Sequence, residues 1–160
     1  MYLPGSQIIL SRVVEAPAEE ALQPAGVDLS VGEIEELVEP GFLGVESRRL
    51  PKGRRLEPSG GRYRLEPGAY RVRFREIVSI PIWSVGFCYP RSSLLRMGAT
   101  LNCAVWDPGY RGRGAALLVV YNGNGITIEK GARIAQLVLA RLEALPRSSY
   151  EGAYQGEGIT

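Results

Sequence analysis

With 160 residues, 45% hydrophobic and 22% charged, the chain has the length and composition of one globular domain able to bury a core. Its net charge of +2 makes no case for a nucleic-acid or membrane partner. It has no histidine, which excludes a Ser-His-Asp triad, a Cys-His pair and any His-liganded zinc. Cys88 and Cys103 cannot hold zinc alone. They read as one disulfide or two buried free thiols, the second favoured because small disulfide scaffolds use more cysteine. The chain start, Met1-Tyr2-Leu3-Pro4-Gly5, has neither a basic n-region nor an apolar h-region, and no apolar run reaches the ~18 residues of a membrane helix. The expectation is a cytoplasmic protein.

Taken in order, residues 6–14 read as a short helix or a strand, and Pro17 and Pro24 bound the loop after them. Val27, Leu29 and Val31 alternate with Asp28 and Ser30, the period-2 pattern of a half-buried strand. Residues 32–62 carry little pattern; the Glu33–Glu39 cluster and the basic group Arg48, Arg49, Lys52, Arg54 and Arg55 read as solvated loops or hairpin ends, with subunit contacts the minor alternative. Pro67-Gly68 opens a strand in which Tyr70, Val72 and Phe74 alternate with Arg71, Arg73 and Arg75. Further strands run over 77–80 and 83–89, broken at Pro81. Residues 114–121 form an uninterrupted apolar run, predicting a strand buried on both faces, and Asn122-Gly123-Asn124-Gly125 is the clearest hairpin turn. Two more strands follow, over 126–131 and 133–142. Many short strands and few helical patterns give an all-β domain.

Between the apolar runs lies a polar, glycine-rich segment, residues 88–114, of the kind that usually faces a ligand or a turn. Arg91-Ser92-Ser93-Leu94-Leu95-Arg96 reads as a helical turn capped by Ser92 or Ser93 and ended by Gly98, with free N–H groups suited to an anion. Asp107-Pro108-Gly109-Tyr110-Arg111-Gly112 is a turn carrying a carboxylate, an aromatic ring and a guanidinium.

These two stretches resemble the second and third motifs of the dUTPase/dCTP deaminase superfamily. Ala25-Gly26-Val27-Asp28-Leu29 resembles its first motif and Gly131-Ala132-Arg133-Ile134-Ala135-Gln136-Leu137 its fourth, while Tyr150–Glu157 resembles the closing segment of the deaminase branch. Overall the chain is most similar to archaeal-type dUTPases, hydrolases built on deaminase-like sequence. The resemblance implies a distorted β-barrel or jelly roll over residues 1–145 with one short helix after Arg91. It also implies a flexible tail, residues 146–160, closing over the active site, and a homotrimer with sites shared between subunits.

Two reactions occur in the superfamily: hydrolysis of dUTP to dUMP and pyrophosphate, and zinc-free deamination of dCTP. The deaminase branch needs a proton-shuttling Glu on the strand after the Asp-Pro-Gly turn. Here that position falls on Leu117 or Val119, neither of which can move a proton. The resemblance therefore implies Mg²⁺-dependent hydrolysis of dUTP, with Asp107 activating water and Tyr110 lying against the deoxyribose. Arg91, Ser92, Ser93 and Gln136 would hold phosphate oxygens, with Arg96 also binding substrate; backbone groups around Asn102–Val105 would read the base, the Asn102 side chain contributing; and Asp28 would meet the metal through water. The tail departs from the family: it lacks the Arg and Phe of ordinary dUTPases, leaving Tyr150 or Tyr154 to supply an aromatic surface. It also carries Glu157, whose charge near a triphosphate would be unfavourable unless it points away.

Overall fold

The computed structural model describes residues 1–159. The first ambiguous stretch is a helix, α1 (Gly5–Leu10), which buries Ile8. Two short pieces, β1 (Val14–Glu15) and β2 (Leu22–Gln23), flank a 3₁₀ turn at Glu19–Ala21 and lead into β3 (Gly26–Leu37). After it come β4 (Phe42–Leu43), β5 (Arg48–Arg49), β6 (Gly53–Arg55), β7 (Arg62–Leu65), β8 (Gly68–Phe74), β9 (Ile77–Ser79) and β10 (Ser84–Pro90). The remainder is α2 (Ser92–Arg96), β11 (Ala99–Asn102), β12 (Arg111–Gly112), β13 (Ala115–Val120), β14 (Ile126–Glu129) and β15 (Arg133–Arg141).

The 12-residue β3 organises the sheet. Its first part pairs with β15 (Val27 opposite Leu137, Asp28 opposite Gln136) and its second part with β8 (Ile34 opposite Val72, Glu36 opposite Tyr70). The register shifts between Val31 and Glu33. Gly32 sits at that bend, where a Cβ would come within 3.0 Å of the carbonyl oxygens of Arg73 and Phe74. The path runs β10–β15–β3–β8–β13–β11, and the far edge returns to the first: Gly86 and Trp106 exchange backbone hydrogen bonds of 2.9 and 3.0 Å. A sheet that bends through one shared strand and nearly closes on itself is the expected all-β barrel of jelly-roll type, with α2 following Arg91. Val27, Leu29, Ile34, Leu65, Val72, Phe74, Leu118, Leu137 and Leu139 fill it, each at most 1% exposed.

Several expectations change. Residues 33–37 are not loop but the second part of β3, where the acidic and basic groups pair across strands: Glu36 with Arg54, Glu33 with Arg55 at 2.9 Å, Glu35 with Arg71 at 2.5 Å. Charge alternation on a solvent face hid the strand. β13 is buried on one face only; Ala116, Leu118 and Val120 point inward, while Leu117 is 38% exposed. The Asn122–Gly125 turn exists, with Gly125 N–H donating to Asn122 O, but it joins no hairpin. β13 pairs with β8 and β11, whereas β14 pairs with β7, so the turn carries the chain from one sheet to another. Arg91, not a serine, stands at the N-cap of α2, without a side-chain cap bond; Gly98, at φ +78°, ends the helix as expected. Both cysteines are free thiols in contact: their shared hydrogen bond, then burial, pushes Cys88 well up.

Candidate functional site

The motif residues fall into two clusters. In the first, β3 and β15 place Asp28 opposite Gln136, and β10 delivers Arg91 beside them. Asp28 is 1% exposed. Its Oδ2 accepts from Arg91 at 2.9 Å, Arg133 at 3.5 Å and Gln23 Nε2 at 3.0 Å. Burial pushes its carboxyl up, and the two guanidiniums and the Gln23 hydrogen bond pull back against it. Arg133 also reaches the carboxylate and backbone oxygen of Glu20. Ser92, Ser93 and Arg96 lie exposed at the start and outer side of α2, where Arg96 Nη1 donates to Ser92 O at 3.3 Å.

In the second cluster, the turn after Trp106 presents Asp107 to a cavity of about 470 Å³ lined by Arg71, Arg73, Val105, Tyr110, Tyr150 and Glu157, among others. The Asp107 side chain is exposed and forms neither ion pair nor hydrogen bond among the described residues. Tyr110 is 7% exposed and stacks edge-on with Trp106 at 5.4 Å and Tyr150 at 5.7 Å. Tyr154 lines the cavity too. Asn102 is exposed at the end of β11, opposite Leu117, and Ala104 and Val105 continue into the cavity wall.

The tail holds this wall. Tyr150 N–H donates to Pro108 O at 2.8 Å, Arg113 N–H to Glu157 O at 2.9 Å and Gly156 N–H to Arg111 O at 2.8 Å. Gln155 accepts from Arg111 N–H at 2.9 Å and donates to Gly109 O at 3.0 Å. Glu157 points into the cavity: its Oε1 accepts from the Tyr110 hydroxyl at 3.0 Å. Burial pushes the Glu157 carboxyl up, opposed by the Tyr110 hydrogen bond and by Arg73 and Arg71. Burial, then the Glu157 charge, pushes the Tyr110 hydroxyl well up.

The two clusters stand apart in one chain. Trp106 bridges to Gly86 and Arg91 follows Pro90. Five residues of extended β10 therefore separate them, roughly 16 Å. Motif reading did not single out Arg71, Arg73, Arg133 or Glu157 as site residues. Arg133 lies inside the fourth motif, two residues from its Ala135-Gln136-Leu137, and the outward arginines of β8 look like an ordinary solvent face.

An all-β barrel carrying a free carboxylate over an aromatic, arginine-lined cavity, with a second guanidinium cluster, is built to handle a charged small molecule. The chain belongs to the dCTP deaminase-like family, whose model matches residues 6–142. It is 59% identical over 159 residues to a probable deoxyuridine 5′-triphosphate nucleotidohydrolase of Aeropyrum pernix, covering 99% of this chain and 100% of that one. It is 43% identical over 142 residues to the deoxyuridine 5′-triphosphate nucleotidohydrolase of Methanocaldococcus jannaschii, covering 86% of this chain and 89% of that one. Among solved structures, the fold resembles a 2′-deoxycytidine 5′-triphosphate deaminase from Agrobacterium tumefaciens (TM-score 0.67, 19% identity), over 91% of this chain and 49% of that chain. It also resembles the EIAV dUTPase (TM-score 0.52, 16% identity), over 95% of this chain and 96% of that one. No helix among the described residues is long and apolar enough to cross a membrane.

Proposed function

We propose that the protein is a dUTP diphosphatase, hydrolysing dUTP to dUMP and pyrophosphate. The observation that carries the reading is the free, exposed Asp107 at the mouth of the cavity formed by Tyr110, Tyr150 and the β8 arginines. It joins the 59% identity to a probable nucleotidohydrolase over nearly the whole chain. Asp107 takes a proton from a water and aims it at a phosphorus, which requires no second side-chain acid. Tyr110 and Tyr150, packed edge-on, supply an apolar wall for the deoxyribose, and the exposed edge of residues 102–105 faces the base. Arg91, Ser92, Ser93, Arg96 and Gln136 bind the phosphates.

A carboxylate that activates water and the groups that hold the same phosphoryl must act within about two hydrogen-bond lengths, roughly 6 Å. One chain keeps them roughly 16 Å apart. We therefore read the site as completed by a neighbouring copy in a homotrimer. Mg²⁺ fits as an ion carried mostly by the triphosphate. The described residues contain no group of three His, Cys, Asp or Glu side chains able to cage it, and Mg²⁺ on a nucleotide needs only one or two carboxylates. Asp28 receives its three contacts on Oδ2, leaving Oδ1 to accept a water of the ion's shell. When bound, the ion neutralises and orients the triphosphate. Arg91, resting on Asp28, is positioned to move its guanidinium to phosphate oxygens.

Asp107→Asn should abolish turnover of dUTP while leaving binding of a non-hydrolysable analogue within a few-fold; near-normal turnover removes Asp107 from the chemistry. A second reading, deamination of dCTP, is favoured by one observation: Glu157 brings into the cavity a carboxylate that β13 does not supply.

A further inference from the structure

A second concavity, of about 540 Å³, opens beside the tail and holds Arg55, Arg73, Arg75, Arg113 and Lys130 against a single carboxylate, Glu33. Glu33 is already committed to Arg55 at 2.9 Å and to Arg73 at 3.6 Å. Arg75, Arg113 and Lys130 have no carboxylate partner among the described residues. Five cations drawn into one concave space repel one another, a cost normally offset by an anion. Arg73, on the wall between this cavity and the one beside Asp107, adds a second sign: its Nε is buried and is the only buried side-chain nitrogen or oxygen among the described residues without a hydrogen-bond partner. Buried donors are rarely left unmade, so this one points to a missing acceptor. The floor is open to close approach. Gly131 and Gly158, both at positive φ, line the cavity, and a Cβ on Gly158 would press within 3.0 Å of Arg113 Cβ and Arg73 Cδ.

We propose that this cavity, which shares only Arg73 with the one beside Asp107, is a second anion site that takes a diphosphate group, free or carried on a nucleotide. A diphosphate presents several acceptor oxygens and multiple negative charge, matching the three uncommitted cations and the orphaned Nε. An inorganic monophosphate would reach fewer of them across a space of this size. Because Gly158 and the Arg113–Glu157 backbone bond form one rim, an occupied site holds the tail in its docked position.

The test is calorimetric titration of the full-length protein with inorganic pyrophosphate, its catalytic site filled with a non-hydrolysable dUTP analogue. The expected result is one pyrophosphate per chain in the wild type. Its affinity should fall at least about tenfold in Arg75→Gln/Arg113→Gln/Lys130→Gln, the loss expected on removing charge-assisted hydrogen bonds. Lys130→Gln alone changes one exposed side chain and serves if the triple variant misfolds; it should weaken binding at least about threefold. KM for dUTP should stay within about twofold in both variants. Displacement of pyrophosphate by adenosine diphosphate assigns the site to nucleotides; no displacement assigns it to the free diphosphate. Absence of pyrophosphate binding with the analogue in place, or unchanged binding in both variants, overturns the proposal. So does loss of subunit association without loss of pyrophosphate binding, which would make the cavity a contact between copies.

Discussion

Asp28 shows what burial does to a motif residue. Read as a strand alternation, it belongs on the solvent face; in the fold it is 1% exposed and caught between Arg91 and Arg133. Asp28→Ala leaves two half-buried guanidiniums facing an empty site. The expected loss is at the low end of the roughly 3–5 kcal/mol typical of breaking a buried pair, because both arginines keep some solvent access. Urea unfolding measures it; a loss under about 0.5 kcal/mol would mean the pair contributes nothing net. Glu157 is the second case. Its carboxyl is pushed up in the docked tail, chiefly by burial. A group with a raised folded-state value contributes stability that is full below its ordinary value and is lost as pH rises through the raised one. Docking of the tail should therefore be tighter in acid than at neutral pH. Carbon NMR of the Glu157 carboxyl should show it titrating above the ordinary carboxylate range. Titration within that range would contradict the buried placement.

At the scale of elements, the tail and the turn it covers act as one unit. Gly109 holds φ +86°, and a Cβ there would collide with Ser149 Oγ. Gly109→Ala adds backbone strain of about 1 kcal/mol and displaces the tail. KM for dUTP should rise several-fold while the core strands melt nearly as before; an unchanged KM would show that tail docking plays no part in substrate binding. This unit was only half legible. Asp107-Pro108-Gly109 announces a turn by composition, and Tyr150 and Tyr154 announce aromatic surface, but nothing local states that Gln155 bonds both Arg111 and Gly109. The same limit explains Asn122–Gly125, where turn chemistry was right and pairing wrong. A turn sequence fixes local backbone direction, whereas the partner of β14 is β7, more than sixty residues away. β13 likewise looked buried on both sides because Leu117 and Val119 are as apolar as their inward neighbours, and only the sheet arrangement leaves one face open.

At the scale of the molecule, period-2 patterning and turn residues were enough to give the all-β class, and the order of the motifs gave the family. The separation of those motifs into two clusters could not be read from their order, since it depends on which strands pair. It leads to an assembly prediction. The mass in solution should be close to three times 17.5 kDa, as light scattering would show; a stable monomer contradicts a shared site. Co-assembled Asp107→Asn and Arg91→Ala chains, each inactive alone, should regain part of the wild-type rate, since some mixed sites pair an intact Asp107 with an intact Arg91. No recovery would place both residues in one chain's site.

Product analysis decides which reaction the protein carries out. The protein is incubated with Mg²⁺ and either dUTP or dCTP, and nucleotides and pyrophosphate are separated. The prediction is dUMP and pyrophosphate from dUTP and no product from dCTP. Uracil nucleotides from dCTP would contradict it, and would make Glu157 the first residue to replace.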